Sequence, residues 1–199
     1  MPPVTATLIA ANVAAFFLSS LAPRLSMEFA LWPLGGAWLM LPEAGFAPWQ
    51  LLTYSFLHGS LMHLAFNMFG LYMFGSAMEQ VLGTRRYLGY YFVCVVAAAI
   101  TQMIVLGLTG SFVPTVGASG GVFGLVLGYA MFFPHHRVML LIPPIPMSAR
   151  TFAIVYALIE LSLGVFGSNQ GIAHFAHLGG MAGGWLLLRH WRLRPRLRS

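Results

Sequence analysis

A serine flanked by glycines is the clearest candidate for covalent chemistry in this chain. Ser119 lies within Gly117-Ala118-Ser119-Gly120-Gly121, at the start of a long apolar stretch. Glycines on both sides let backbone and substrate approach the hydroxyl. A serine in the first turn of a helix also lies beside free N–H groups that can stabilise an oxyanion. Ser119 is therefore a candidate nucleophile, although Gly120, Gly124 and Gly128 could also serve only as a helix-packing surface.

A histidine followed by a second set of glycines is the candidate partner of that serine. Gly180 and Gly184 come three and seven residues after His177, so all three share one face of a helix. Small residues let two helices approach closely, and we expect this helix to pack on the glycine surface that follows Ser119. The imidazole of His177 would then reach the hydroxyl and act as its general base.

Two neutral donors on another apolar stretch could stabilise the negative charge that such chemistry creates. His63 and Asn67 are four residues apart and therefore lie one above the other on a helix. Donors aimed at a developing oxyanion form an oxyanion hole, although hydrogen bonds between helices would explain the pair as well. His58, just before them, is predicted to line a water path to the site together with Ser60 and Asn169.

A carboxylate that could orient the histidine is not evident in the sequence. The chain contains no Asp, and its acidic residues are Glu28, Glu43, Glu79 and Glu160. None of them is adjacent to the serine or histidine motif, and a buried carboxylate is costly in lipid unless it is paired. The sequence therefore favours a dyad of Ser119 and His177, with Glu160 as the only carboxylate that could reach this depth. Phe123, one turn after Ser119, could hold the imidazole by stacking.

The composition places these residues in a membrane. Hydrophobic residues make up 59% of the chain and charged residues 7%, with a mean hydropathy of +0.81. Soluble domains carry about 25% charged residues, so this chain could not cover a water-exposed surface and is predicted to be polytopic. Six apolar stretches are long enough to span a bilayer: 5–21, 60–80, 87–108, 117–133, 151–166 and 172–188.

The arginines set the predicted orientation. With six spans, nine of the ten basic residues lie on the side shared by both termini, and only Arg24 lies on the other. Cytoplasmic loops carry the excess of basic residues, so both termini, including a basic tail at 189–199, are predicted to be cytoplasmic. The net charge of the chain is +6, but the arginines cluster at the ends of the spans. This clustering indicates contact with anionic membrane lipids and not with nucleic acid.

The first span and the segment after it bear on the architecture. Ser20-Leu21-Ala22 resembles a signal-peptide cleavage site, but no basic residue precedes the apolar run, so we expect the first span to be retained. The segment 22–59 is rich in Trp and Pro and is predicted to be a structured loop in the outer leaflet. The single Cys94 excludes a disulfide within the chain and is interpreted as a buried filler.

Taken together, the motifs resemble those of the rhomboid proteases, which are intramembrane serine proteases. The resemblance covers about residues 49–184 and is carried by His58-x4-His63-x3-Asn67, Gly75-x3-Glu79-x3-Gly83, Gly117-x-Ser119-Gly120 and Ala176-His177-x2-Gly180. It implies an all-α, six-transmembrane-helix bundle with a long membrane-embedded loop between helices 1 and 2. The whole chain, 1–199, would form one domain with its core at about 49–188.

The resemblance also implies roles for individual residues. Ser119 would be the nucleophile and His177 the base, with His63, Asn67 and the Ser119 amide forming the oxyanion hole. The supporting residues would be Gly117, Gly120, Phe123 and His58.

The reaction implied by the resemblance is hydrolysis of a peptide bond in or beside a transmembrane segment of a membrane-protein substrate, without a cofactor or metal. The fifth helix and the loop 164–171 would form a lateral gate and cap. A short chain of this kind suits a bacterial inner membrane.

The chain departs from the usual pattern of that family at two positions. Many members have Trp-Arg in the outer loop where this chain has Trp49-Gln50, so a loop-stabilising ion pair is in doubt. Many have Tyr at the position of Phe123, which keeps the ring here but lacks the hydroxyl.

Competing interpretations make different demands on the sequence. An aspartyl intramembrane protease needs paired Asp and a zinc protease needs His-Glu-x-x-His, and the chain has neither. A metal transporter would leave Ser119 unexplained and would be inhibited by chelators; its ligands would be four histidines, His58, His63, His174 and His177. A relative that binds membrane clients without cutting them would typically lack the serine or the histidine.

Overall fold

The backbone is predominantly helical where the structure describes it. The structure is a computed structural model that describes residues 1–34, 45–139, 144–167 and 173–192. Its elements in chain order are α1 (Pro3–Leu21), α2 (Pro23–Phe29), α3 (Gln50–Thr53), α4 (Leu61–Gly70), α5 (Ser76–Leu82), α6 (Thr84–Thr109), α7 (Ser119–Phe132), β1 (Arg137–Met139), β2 (Pro146–Ser148), α8 (Ala149–Phe166) and α9 (His174–His190). A π-helical turn at Leu71–Gly75 joins α4 to α5, and β1 pairs with β2 in an antiparallel hairpin.

Within the described residues, three helices are long and apolar enough to cross a membrane, namely α1, α6 and α8. Their lengths of 19, 26 and 18 residues suit the roughly 17–25 residues that a bilayer requires. They coincide with the predicted first, third and fifth spans, and they define an integral membrane protein. α7 is a shorter apolar helix; the crossing of the membrane by α4–α5, α7 and α9 stays a prediction.

Capping side chains and one glycine set where several helices begin. The hydroxyl of Ser60 accepts a hydrogen bond from the His63 N–H at 3.1 Å, the usual arrangement of a helix N-cap. Ser148 caps α8 in the same way through the Thr151 N–H. Gly83 separates α5 from α6 with a φ of 75°, a conformation that costs glycine little. The cap at Ser60 fixes where His63 projects from α4.

The two glycine surfaces meet where α7 crosses α9. Gly180 lies so close to the carbonyl of Gly120 that a Cβ there would clash. A Cβ on Gly124 would lie 3.1 Å from the Gly180 carbonyl oxygen. Such close approach of backbones requires small residues, so the predicted contact between the two glycine surfaces is confirmed at this level.

The rest of both glycine surfaces packs against α6 instead. Gly128 and Gly184 lie beside the Tyr90 side chain, whose hydroxyl donates to the Gly124 carbonyl at 2.7 Å. Cys94 is fully buried against Gly124 and Gly184, as its interpretation as a filler requires. α6 therefore forms a third wall that holds α7 and α9 in register.

A buried glutamate ties α1 to α5. The Glu79 carboxylate accepts the Val4 N–H at 3.0 Å, the Thr5 N–H at 2.7 Å and the Thr5 hydroxyl at 2.8 Å. These N–H groups belong to the first turn of α1, where unpaired donors and the helix dipole favour a negative charge. Glu79 is 3% exposed, and these bonds compensate the cost of burying it.

A neutral amide network holds the described flanks of the long outer loop. The Gln50 Nε2 donates to the carbonyls of Glu28 at 3.1 Å and Gly45 at 2.9 Å, and its Oε1 accepts the Trp32 N–H at 3.1 Å. Gln50 is 2% exposed, so these bonds satisfy a buried side chain. The neutral side chain of Gln50 therefore joins both sides of the loop at the position where many family members have an arginine. The predicted loop residues Trp38 and Pro42 and the tail from Leu193 onward lie outside the described residues.

Candidate active site

Ser119 and His177 meet where two closely packed helices begin. Ser119 is the first residue of α7, and His177 lies in the first turn of α9. The Ser119 Oγ is 2.7 Å from the His177 Nε2, a hydrogen-bond distance. Because Gly120 and Gly180 let the backbones touch at this level, the residues that fix the helix packing also fix the distance between hydroxyl and imidazole.

An aromatic ring holds the imidazole in place. Phe123 stacks on His177 with ring centroids 4.3 Å apart and planes inclined by 4°, as its position one turn after Ser119 predicts. Tyr156 of α8 lies on Phe123, with centroids 6.0 Å apart. The ring of the histidine therefore has one face covered, and rotation about its side-chain bonds is restricted.

His63 and Asn67 line the same cavity as Ser119. The Asn67 Nδ2 donates to the His63 carbonyl at 2.9 Å, and the second N–H of the amide can serve a ligand. A Cβ on Gly117 would lie 2.8 Å from the His63 ring, and the φ of Gly117 is 128°. Position 117 therefore accepts only glycine between the His63 ring and the serine.

A largely apolar cavity opens from these polar groups. Its volume is about 700 Å³, and its walls come from α4, the π-helical turn, α7 and α8. It extends from Gly59 and Ala173 at the level of Ser119 to Val138 and Met139 of β1. The apolar lining includes Phe66, Met73, Phe74, Val126, Phe152 and Tyr156. A cavity of this size and lining suits an apolar ligand with a polar reacting group at one end.

The structure corrects the expectation of a serine–histidine pair without a neighbouring carboxylate. The Glu160 Oε2 lies 2.8 Å from the His177 Nδ1 and 2.7 Å from the His174 Nδ1. The contact with His174 is a hydrogen bond. The Oε2 is within ion-pair distance of the His177 Nδ1, but the ring N–H does not point at the oxygen, so the two groups form no hydrogen bond in this structure. Packing of α8 on α9 brings Glu160 to residues that are 14 and 17 positions away in sequence.

His58 lies behind the candidate oxyanion donors. Its ring is edge-on to that of His63, with centroids 5.0 Å apart, and its side chain is buried. Within the described residues neither ring nitrogen of His58 has a hydrogen-bond partner. A polar, buried site of this kind suits a water molecule, and the role of His58 in a water path stays a prediction. Asn169, also predicted to line that path, lies outside the described residues.

The four histidines considered as metal ligands do not converge on one point. Among the described residues, the potential ligand atoms within 4.8 Å of one another are those of Glu160, His174 and His177. His58 and His63 form a separate pair. A four-histidine site for a transported metal is therefore not formed in the described part of the chain.

Glu160 and His174 are the site residues that sequence reasoning underrated. A signal was available for both. Glu160 is the only acidic residue of its apolar stretch, and an ionisable residue within a membrane span is by default a candidate for a functional role. His174 comes three residues before His177, which places both on one face of a helix. Only the packing of α8 on α9 shows that they meet.

The arrangement is that of a helical membrane protein with a serine–histidine contact inside its bundle. Comparison of the sequence with models of known protein families identifies the family: the model of the rhomboid domain matches residues 46–192. That match covers well over half of the chain, and the chain belongs to the rhomboid family. The resemblance carried by the motifs is therefore confirmed.

Several curated proteins are similar to this chain over part of their length. Rhomboid protease GluP of Bacillus subtilis (strain 168) is 35% identical over 137 residues, which cover 69% of this chain and 25% of the relative. RHOMBOID-like protein 4 of Arabidopsis thaliana is 31% identical over 84% of this chain and 40% of the relative. Rhomboid protein 1, mitochondrial, of Saccharomyces cerevisiae is 27% identical over 61% of this chain and 38% of the relative. The chain thus spans less than half the length of each of these three relatives.

Proposed function

We propose that this chain is an intramembrane serine endopeptidase that cleaves transmembrane segments of membrane-protein substrates. The observation that carries the proposal is the 2.7 Å contact between the Ser119 Oγ and the His177 Nε2 at the wall of an apolar cavity. A serine is a weak nucleophile by itself and is activated by an adjacent base in hydrogen-bond reach. The name of the Bacillus relative, a rhomboid protease, supports the same activity.

In the proposed reaction, Ser119 attacks the scissile carbonyl while His177 takes the hydroxyl proton at Nε2. The negative charge on the tetrahedral oxygen is stabilised by the donors of His63 and Asn67 and by the free N–H groups at the start of α7. The imidazolium then gives its proton to the leaving amine, and an acyl-enzyme remains. A water molecule that reaches the site past His58 hydrolyses the ester, again with His177 as base.

The substrate in this proposal is an extended stretch of a transmembrane segment. Its apolar side chains would occupy the cavity between α4 and α8, while its scissile bond lies against Ser119. Entry from the bilayer requires α8 to move away from α4, which makes α8 the lateral gate. Of the predicted cap loop, residues 164–166 form the last turn of α8 and Gly167 ends that helix, and the remainder, 168–171, lies outside the described residues.

The proposal includes six membrane spans and a cytoplasmic location of both termini. The helical segment 61–82, α7 and α9 would cross the membrane together with α1, α6 and α8, giving six spans in one domain with both termini in the cytoplasm. The arginines at positions 85, 86, 137, 150, 189 and 192 would then contact the anionic cytoplasmic leaflet. We assign the chain to a bacterial inner membrane.

Cleavage of a model single-pass membrane protein by the purified chain in liposomes tests the proposal. Ser119→Ala should lower the cleavage rate by about 10³-fold or more, because the nucleophile is removed. Ser111→Ala, a serine in the connection before α7, is the matched control and should cleave as wild type does. A chelator should have no effect.

Two results would contradict the proposal and identify its alternatives. Binding of the model substrate without any cleavage by wild type would indicate a client-binding relative. Cleavage that survives Ser119→Ala, or metal transport that a chelator abolishes, would show that the serine is not the functional residue.

A further inference from the structure

Glu160 is a buried carboxylate that lies against two histidines of α9. It is 8% exposed, and its Oε2 lies 2.7 Å from the His174 Nδ1 and 2.8 Å from the His177 Nδ1. A carboxylate in an apolar interior is costly unless paired, and Glu160 lies on one of the three helices long enough to cross the membrane. Glu160 therefore lies on the opposite side of the His177 ring from Ser119, where a carboxylate can act on the histidine.

The two ring nitrogens of His177 face different partners, and this fixes what the carboxylate can do. Nε2 faces the Ser119 hydroxyl at 2.7 Å and must be unprotonated to accept its proton. The remaining ring proton then lies on Nδ1, which faces Glu160. A carboxylate at 2.8 Å favours a proton on that nitrogen and stabilises the imidazolium once the serine proton has moved to Nε2. A small turn of either side chain would align the N–H with the oxygen and form the hydrogen bond that this structure lacks.

We infer that Glu160 is a positioning residue for His177, and that His174 in turn holds Glu160. The chain would then use a serine–histidine–glutamate arrangement supplied by three helices, α7, α9 and α8. In this arrangement the carboxylate stays ionised and no proton is transferred to it. This inference rests on the proposed protease function.

A shared metal ion is the competing explanation of the same three residues, and the distances oppose it. Two ligands of a tetrahedral zinc with bonds of about 2.0–2.1 Å lie roughly 3.3 Å apart. Both nitrogen–oxygen distances here are shorter, at 2.7 and 2.8 Å, and fit direct contacts. A metal on the His177 Nδ1 would also place the ring proton on Nε2 and leave no acceptor for the serine.

The location of Glu160 on α8 adds a consequence for substrate entry. Because α8 also lines the cavity with Phe152 and Tyr156, displacement of α8 would carry the carboxylate away from His177. The histidine would be fully oriented only after α8 returns. The imperfect alignment of the His177 N–H leaves room for this contact to tighten when substrate is bound.

The test compares Glu160→Gln with Glu160→Asp in the cleavage assay, using full-length chain in liposomes. Glu160→Gln should lower kcat by about 10²–10⁴-fold, the range expected when an orienting carboxylate is neutralised. KM should change less than threefold, because Glu160 is not among the residues that line the cavity. Glu160→Asp should restore at least a tenth of the wild-type kcat, and His174→Phe should lower kcat by about tenfold.

Glu79→Gln is the matched control, since Glu79 is the other buried glutamate of the described bundle and contacts α1 instead of the histidines. It should lower the unfolding temperature and leave kcat near the wild-type value at temperatures where the protein is folded. Glu160→Gln should instead lower kcat strongly and change the unfolding temperature little.

Three outcomes would overturn the inference. One is a folded Glu160→Gln protein with kcat within threefold of wild type. Another is an aspartate variant no more active than the glutamine variant. The last is one equivalent of zinc in purified wild type that Glu160→Gln lacks and that a chelator removes together with activity. Failure of the protease proposal is distinguishable, because wild type itself would then not cleave, or Ser119→Ala would cleave as well as wild type.

Discussion

Some residues of the site could be predicted from the sequence and others could not. Ser119, His177 and Phe123 could be placed because helix periodicity and glycine spacing relate each to its neighbours along the chain. Glu160 could not be placed in the same way, because its contact with His177 depends on how α8 packs on α9. The glycine spacing therefore predicted that α7 and α9 meet, whereas no spacing along the chain predicted that α8 brings Glu160 to α9.

Gly117 offers a prediction at the level of a single residue. Gly117→Ala would place a Cβ 2.8 Å from the His63 ring at a φ of 128°, which is strained for any residue other than glycine. We expect the ring to be displaced from its position beside Ser119 and kcat to fall by about 10²-fold, the usual effect of losing an oxyanion donor. Cleavage kinetics measure this effect.

The control for Gly117→Ala is Gly107→Ala in α6, where nothing lies within 4 Å of an added Cβ. That variant should cleave as wild type does. Wild-type kcat in Gly117→Ala would show that the His63 ring does not contribute to the reaction.

At the scale of helices, buried polar groups decide how the elements are joined. Glu79 fixes α1 on α5, Gln50 joins the described flanks of the outer loop, and Glu160 joins α8 to α9. Apolar spacing predicted the positions of α1, α6 and α8 because a span must contain a long apolar run. The same spacing could not show which buried side chain meets which helix, since that depends on contacts far apart in sequence.

Glu79→Gln tests the joint between α1 and α5. The glutamine keeps one acceptor oxygen, but its NH2 group must face a backbone N–H of the first turn of α1. We expect a loss of about 1–3 kcal/mol of stability, as for other buried hydrogen bonds to a charged group. Thermal unfolding in detergent measures the change.

Glu28→Gln is the control for Glu79→Gln, because the side chain of Glu28 is exposed. The Glu28→Gln protein should unfold at the wild-type temperature. Equal unfolding temperatures for wild type and Glu79→Gln would mean that the carboxylate does not hold α1 in place.

At the scale of the whole molecule, a chain with 7% charged residues keeps its arginines at the ends of apolar stretches and buries Glu79 and Glu160 between helices. The composition predicted the membrane because such a surface cannot face water. The motifs predicted the rhomboid family, which the match over residues 46–192 confirms. The shape of the cavity between α4 and α8 was beyond prediction from sequence, because it arises from side chains of several elements that meet only in the fold.

The central claim is that Ser119 is a nucleophile activated by His177. Reaction of the purified chain with a fluorophosphonate, followed by peptide mass mapping, tests it most directly, since such probes modify activated serines independently of any substrate. We predict a single adduct on Ser119 that is absent from His177→Ala. Labelling of other serines in place of Ser119, or an undiminished rate of labelling at Ser119 in His177→Ala, would contradict the claim.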